Sequence, residues 1–370
     1  MSGWVKKSKP LLSLFITTLS LVFLLPLPLG VASGLGLWLS PYVMISSAIA
    51  LRSFVILNIL GAAILLLIAF SRRRIFCHYI CPTGFFCRRV SKLSHFRRSY
   101  ARMPNIGKYI LYFTLGASLV GMPITIFLDP LSILGSAFVP HPLQIILITA
   151  LPLITLLISQ IIFPYSWCSK LCPLGGMQEE ICEIKVRKYQ TITRGKFISA
   201  VAGSVTSLSL LKFYKPTSAN LRPPAALNSP FFEMTCARCG NCVRVCPSKI
   251  IEPNTSDLFQ LLTPKLNMSN GSCLSDCNLC STVCTSGAIT QFSKEAKYKI
   301  KIALAEIEPD RCLMLKGKEC AHCKTNCPYG AITIDKVPTI DRHKCTGCGI
   351  CAQACPESII KLIPISNKSM

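Results

Sequence analysis

The first half of the chain is built from long apolar runs and the second half from short ones. No charged residue occurs in 10–51, 53–71 or 109–128, nor in about 143–164. A helix crossing about 30 Å of hydrocarbon needs roughly 20 predominantly apolar residues. The four runs therefore predict four membrane-spanning helices, the first with apolar loop to spare. Residues 197–211 are apolar but rich in serine and predict a fifth helix. Further on, the apolar stretches shrink to pieces such as 330–335 and 337–341, which read as small strands.

Composition agrees with this division. Of the 370 residues 51% are hydrophobic, and the mean hydropathy of +0.48 is too high for one soluble domain. The net charge of +24 would ordinarily suggest nucleic acid, but residues 1–214 hold 21 Lys and Arg against four acids, so most of the excess lies in the apolar half. Ten of those bases fall in 72–108 with no acid among them, whereas the loops after the first and third runs are almost free of Lys and Arg. The asymmetry is that of membrane topology: the basic loop and the N-terminus, with Lys6, Lys7 and Lys9, face the cytoplasm. No nucleic-acid partner is expected.

Twenty-two cysteines are too many for a cytosolic enzyme unless they hold metal or form disulfides. Their spacing favours metal. Directly after the second run stands Cys77-His-Tyr-Ile-Cys81-Pro82-Thr-Gly84, and after the fourth Cys168-Ser-Lys-Leu-Cys172-Pro173-Leu-Gly175. The repeat implies two helix pairs, each bringing a CxxxCP turn to the same membrane surface. Cys77, Cys81, Cys168 and Cys172 could meet at one cluster or supply two. Cys87 and Cys182 could add a ligand apiece, and His78 could tune a cluster; buried thiols at helix ends are the plain alternative.

The second half carries four cysteine groups, together sixteen residues. The first (Cys236, Cys239, Cys242, Cys246) and the last (Cys345, Cys348, Cys351, Cys355) are complete CxxCxxCxxxCP runs. The second (Cys273, Cys277, Cys280, Cys284) lacks the proline, and the third is Cys312, Cys320, Cys323 and Cys327, followed by Pro328. Such runs wrap a [4Fe-4S] cluster with three cysteines and lend the fourth to another cluster. A zinc site would show isolated CxxC pairs, and disulfides give no reason for triplets ending in Cys-Pro. Four clusters of about −2 each would cancel the positive charge of residues 215–370.

Residues 72–84 and 166–175 resemble NapH, a membrane quinol-oxidising component with four spans and two CxxxCP motifs. The second half is similar to the NapG and MauM ferredoxin-type proteins, through Leu221-Arg-Pro-Pro-Ala-Ala-Leu and the order of its four runs. The segment beginning Thr193-Arg194-Gly195-Lys196-Phe197 resembles the NapG twin-arginine export signal, with Gly195 in place of the second arginine. The chain departs from NapH in having no ferredoxin pair between the second CxxxCP motif and residue 193.

The resemblance implies an α-helical membrane bundle of four to five helices (1–190), a linking apolar segment (191–230) and an α+β polyferredoxin of bacterial 2[4Fe-4S] type (231–370). It also implies nested pairing, runs one with four and two with three, so that Cys355 completes the first site. Electrons would pass from membrane quinol through four [4Fe-4S] clusters, and one or two more at the CxxxCP motifs, to a redox partner such as a cytochrome or terminal reductase. The alternatives are a maturation factor that reduces a metalloenzyme, and a redox sensor. If 197–211 spans, the ferredoxin half lies outside the cytoplasmic membrane. Arg52, Asp129 and His141 are the ionisable residues expected near the outer face, and hence the candidate quinol or proton contacts. Each has an ordinary reading as well: interface marker, loop cap, loop residue between prolines.

Overall fold

A computed structural model describes residues 18, 40–52, 63, 66–67, 74, 76–94, 103–140, 142–186, 192–214, 220–269, 271–335 and 337–365. The chain forms two units. The first contains Met1–Lys215, Pro230–Asn241 and Thr285–Ala288; the second contains Pro216–Ser229, Cys242–Cys284 and Ile289–Met370.

The described part of the first unit is helical: α1 Pro41–Leu51, α2 Pro82–Ser91, α3 Ile106–Leu119, α4 Pro130–Ala137, α5 Leu143–Ile162, α6 Pro173–Val186 and α7 Arg194–Phe213. Most of the first two expected spans lies outside the described residues. Among the described helices one, over Gln144–Ile162, is long and apolar enough to cross a membrane. It turns Leu147, Leu151, Ile154, Ile158 and Ile161 outward.

The run expected as a continuous third span is instead broken. Helix α3 stops at Leu119, where Gly121 adopts φ +91°. The Gly121 N–H donates to Ser118 O and the Met122 N–H to Ala117 O, closing a Schellman cap that only a residue tolerant of positive φ allows. Pro123 follows, and the chain folds back through the 3-10 turn Ile126–Leu128 into α4. Apolarity alone did not reveal this turn, because every residue in it except Gly121 and Pro123 suits a span.

Helices α1 and α4 begin alike, each with a capping residue before proline. The Ser40 side chain caps α1 at Val43 N, and Asp129 caps α4 at Leu131 N and Ser132 N. Proline fits the first helical position because its missing N–H is not needed there. The two caps meet, the Ser40 hydroxyl donating to Asp129 Oδ1 at 2.5 Å. Around them Tyr42, Val43, Ile126, Leu131 and Leu134 form a core that also takes in Phe76, Cys81, Cys172, Leu174 and Ala237.

Helix α7 lies along α3 at backbone contact. A Cβ on Gly116 would fall 2.0 Å from Ala200 O, and one on Gly203 2.0 Å from Phe113 O. The serine-rich sequence of α7 serves this contact: Ser199 donates to Tyr109 O and Ser204 to Gly116 O. The pairs run in step along both helices, so α7 is parallel to α3. Small residues and inter-helix hydroxyl bonds are how helices associate where no hydrophobic force separates them from lipid. Glu179, Glu180 and Glu183 of α6 pair with Lys108, Lys196 and Arg74, tying α6 to α3 and α7.

The second unit is α+β, with one-turn helices and three two-stranded antiparallel sheets. Strand β1 (Ile251–Pro253) pairs with β2 (Pro264–Leu266), β3 (Leu304–Ile307) with β6 (Ile360–Ile363), and β4 (Ile332–Ile334) with β5 (Pro338–Ile340). The β4–β5 hairpin falls on the two short apolar stretches read as strands. Ala305, Ile332, Ile359 and Ile360 form a core with Cys312 and Cys351 among them.

Candidate metal centres

All 22 cysteines are free thiols. In the first unit the two CxxxCP motifs have the same local structure. A π-helical turn, Phe76–Ile80 or Trp167–Leu171, carries the first cysteine. The second cysteine is extended, with φ −72° and ψ 114° at Cys81 and φ −64° and ψ 120° at Cys172. The following proline enforces this, since its ring disfavours the helical region for the residue before it. Proline then opens α2 or α6. A Cβ on Gly84 would lie 2.4 Å from Cys77 O and one on Gly175 2.9 Å from Cys168 O, so each new helix presses on its own motif.

The structure brings the two motifs together. The Gly175 Cβ position is 3.9 Å from Cys77 Sγ of the other motif. Cys77 is pushed up to about 12 by burial first and then by the neighbouring Cys168 thiol. Cys81 and Cys172 are raised by burial and by Cys77 and Cys168. Thiols that oppose one another's ionisation this strongly become thiolates together only around a cation. Arg74 and Arg88 supply part of the positive field: their guanidinium groups lower Cys77 and Cys168 against the burial that raises both.

The resemblance between the halves extends past the cysteines. Arg74 and Tyr165, three residues ahead of Cys77 and Cys168, both have positive φ, 55° and 61°. Arg74 reaches into the other motif, Nη1 donating to Cys168 O at 2.5 Å and Nη2 to Ser169 O at 2.7 Å. Six residues after the second cysteine of each motif stand Cys87 and Gln178. Gln178 Nε2 donates to Cys77 Sγ at 3.2 Å, and Cys87 is hydrogen-bonded to Cys168. Each half thus reaches the first cysteine of the other. Arg74 and Gln178 gave no signal in the sequence, because nothing there shows which half faces which.

Of the candidate quinol residues, Arg52 and Asp129 lie apart. Asp129 is fully buried, and its four acceptor contacts are the Ser40 hydroxyl, the N–H groups of Leu131 and Ser132 and the Ser132 hydroxyl. Arg52 is exposed at the far end of α1, about 18 Å from Ser40 at 1.5 Å per residue. Asp129 therefore sits toward the CxxxCP site, where Thr83 Oγ1 donates to Pro130 O at 2.7 Å, and not with Arg52. His141 lies outside the described residues. His78 is exposed.

In the second unit two thiol quartets line cavities. Cys312, Cys320, Cys323 and Cys355 line one; Cys327, Cys345, Cys348 and Cys351 line another. Among the described residues no three His, Cys, Asp or Glu converge at the spacing of a single metal ion; the thiols stand around these spaces instead. A third set is Cys273, Cys277 and Cys280 with Cys246, whose charges oppose one another.

The nested pairing is therefore not what the chain adopts. Cys355 joins run three, Cys327 joins run four and Cys246 joins run two. Chain geometry explains the exchange. Cys312 follows β3 and Cys355 precedes β6, and these strands pair; the β4–β5 hairpin turns run three directly into run four. Neighbouring runs close shorter loops than nested ones, at lower entropic cost. The Cys273 N–H donates to Cys348 O at 2.9 Å, which places the run-two and run-four sites side by side.

Quartets of thiols from exchanged CxxCxxCxxxCP runs define a multi-cluster iron–sulfur protein of bacterial ferredoxin type. Family models described as 4Fe-4S binding domains match residues 338–361 and, in the first unit, 54–100 and 144–187. The methylamine utilization ferredoxin-type protein MauM of Methylobacillus flagellatus is 30% identical, over 45% of this chain and 77% of its own length. MauM of Methylophilus methylotrophus is 33% identical, over 39% and 70%. The ferredoxin-type protein NapG of Escherichia coli is 30% identical, over 41% and 74%. The chain belongs to this MauM and NapG family of ferredoxin-type proteins, and it is an iron–sulfur electron-transfer protein. No solved structure matches it.

Proposed function

We propose that the chain joins a NapH-like quinol-oxidising membrane unit to a NapG-like ferredoxin, and that it carries electrons from membrane quinol to a redox partner such as a cytochrome or terminal reductase. The carrying observation is the convergence of Cys77, Cys81, Cys168 and Cys172 from two motifs in the unit that holds the apolar helix Gln144–Ile162. A [4Fe-4S] cluster bound there supplies storage for one electron at a time. The protein's own part is to keep that site dry and close to lipid. Arg74 holds the second motif in place, and Gln178 and Cys87 point hydrogen bonds at sulfur.

Asp129 is the quinol or proton contact best placed for this role, being buried and next to the motif through Pro130 and Thr83. The basic loop puts the CxxxCP site on the cytoplasmic side. Helix α7, 20 residues long and parallel to α3, then leads the chain away from that side, with Phe197, Ile198, Val201, Val205 and Leu208 exposed as a lipid face. This favours an extracytoplasmic ferredoxin half.

Anaerobic protein in lipid nanodiscs, mixed with a reduced quinol analogue, tests the reading. Bleaching of the iron–sulfur absorption is expected. Clusters that dithionite reduces and quinol does not would overturn the quinol role and leave a maturation factor or sensor. An impermeant thiol reagent applied to whole cells should label a cysteine placed at Ser218; protection there would put the ferredoxin half in the cytoplasm.

A further inference from the structure

The second unit contains a charge that has no ordinary reason to be where it is. Lys297, in the 3-10 turn Glu295–Lys299, is 1% exposed. Its ammonium donates to Cys277 O at 2.6 Å, to Leu274 O, and to Cys273 Sγ at 3.3 Å. Among the described residues no carboxylate pairs with it. Burying an unpaired ammonium is costly even after relaxation, and two carbonyl dipoles from one loop do not supply a counter-charge. The sulfur it touches is Cys273 Sγ, and its charge also favours ionisation of Cys280, in the set that includes Cys277 and Cys246. The position of Lys297 makes physical sense only when those sulfurs carry negative charge.

We propose that Lys297 is a positioning residue that raises the potential of the centre held by Cys246, Cys273, Cys277 and Cys280, making it easier to reduce than the neighbouring run-four centre. Four thiolates around an oxidised cubane carry a formal −2, and uptake of one electron, with no bond made or broken, takes this to −3. A buried ammonium in contact with one of the four sulfurs stabilises the second state more than the first. Among the described residues no lysine is hydrogen-bonded to a sulfur of the run-four quartet. The lysine nearest to it, Lys301, is half-buried and donates to the carbonyls of Arg342, His343 and Cys345. The Cys273–Cys348 backbone bond joins the two sites, so the difference would direct electrons from run four to run two.

The inference rests on reading these cysteines as one ligand set. Cys280→Ser in the full-length chain tests that separately: loss of about four irons and of one EPR component identifies the run-two centre, and an unchanged iron content refutes the set itself. With that component identified, Lys297→Met and Lys297→Arg are titrated potentiometrically. In an iron-replete Lys297→Met protein the ratio of reduced to oxidised run-two component at fixed potential should fall about tenfold, equivalent to about 59 mV for one electron. Lys297→Arg should stay near the parent. A component that does not move in iron-replete Lys297→Met overturns the proposal. Should Lys297→Met lose the cluster, Lys297→Arg decides: retention of iron shows that a cation is required, and loss there too shows that the role is only packing.

Discussion

The two units hold thiols in opposite ways. In the first, the quartet is drawn from motifs 91 residues apart, on helix ends whose own glycines, Gly84 and Gly175, press against the cysteine backbone. Cys77, Cys81 and Cys172 are buried. In the second, each quartet comes from neighbouring runs on short loops, and at least half of its thiols are only half-buried. A site assembled from distant helices depends on the whole bundle, whereas one assembled from adjacent loops depends on two small strands and a turn. The first arrangement suits a centre that must stay dry, the second one that must come near a partner's surface.

Substitutions in the ligand sets should have the largest effects and divide the units cleanly. Cys81→Ser should remove about four irons by chemical assay and leave the ferredoxin-type EPR signals in place. Cys355→Ser should abolish the component shared with Cys320→Ser and spare that of Cys242→Ser; the reverse result would restore the nested pairing.

Gly84→Ala comes next. The added methyl meets Cys77 O in the backbone, which cannot turn aside, so a loss of about 1–3 kcal/mol in unfolding free energy is expected. The same change at Gly330, which has open space around it, should cost less, arising from its φ of +56° alone.

Asp129 separates stability from chemistry. Asp129→Ala should cost about 1–2 kcal/mol as a lost cap, while Asp129→Asn, an equally good cap, should keep the melting temperature within a few degrees. If Asp129→Asn also keeps the rate of quinol-dependent bleaching, the carboxylate is a cap and nothing more.

The smallest effect is expected at the paired sulfur donors. Cys87→Ser and Gln178→Leu should both retain full iron, with the reduced fraction of the first-unit centre at fixed potential changed only a few-fold in Gln178→Leu. Iron loss in Cys87→Ser as large as in Cys81→Ser would make Cys87 a ligand.

Much of this was open to reading along the chain. CxxCxxCxxxCP and CxxxCP report on atoms a few bonds apart, and proline fixes the turn that follows, so cluster-binding runs and their local shape follow from spacing. The β4–β5 hairpin and the helix over Gln144–Ile162 were legible for the same reason: periodicity and run length are local properties. The break at Gly121 was not, because one glycine and one proline in an apolar run are compatible with both a kinked span and a reversal.

What the chain alone determined is the kind of chemistry: sixteen cysteines in four runs, two further motifs beside apolar runs, and a basic loop between them. Only the tertiary structure decided which cysteines share a site, that Arg74, Cys87 and Gln178 cross between the two halves, and that Lys297 points at sulfur. The physical reason is that a ligand's identity is written in its own residue and its neighbours, whereas a partner contact is made across space. Which contact forms depends on the closure of loops and the pairing of β3 with β6, and no short stretch of sequence contains both ends.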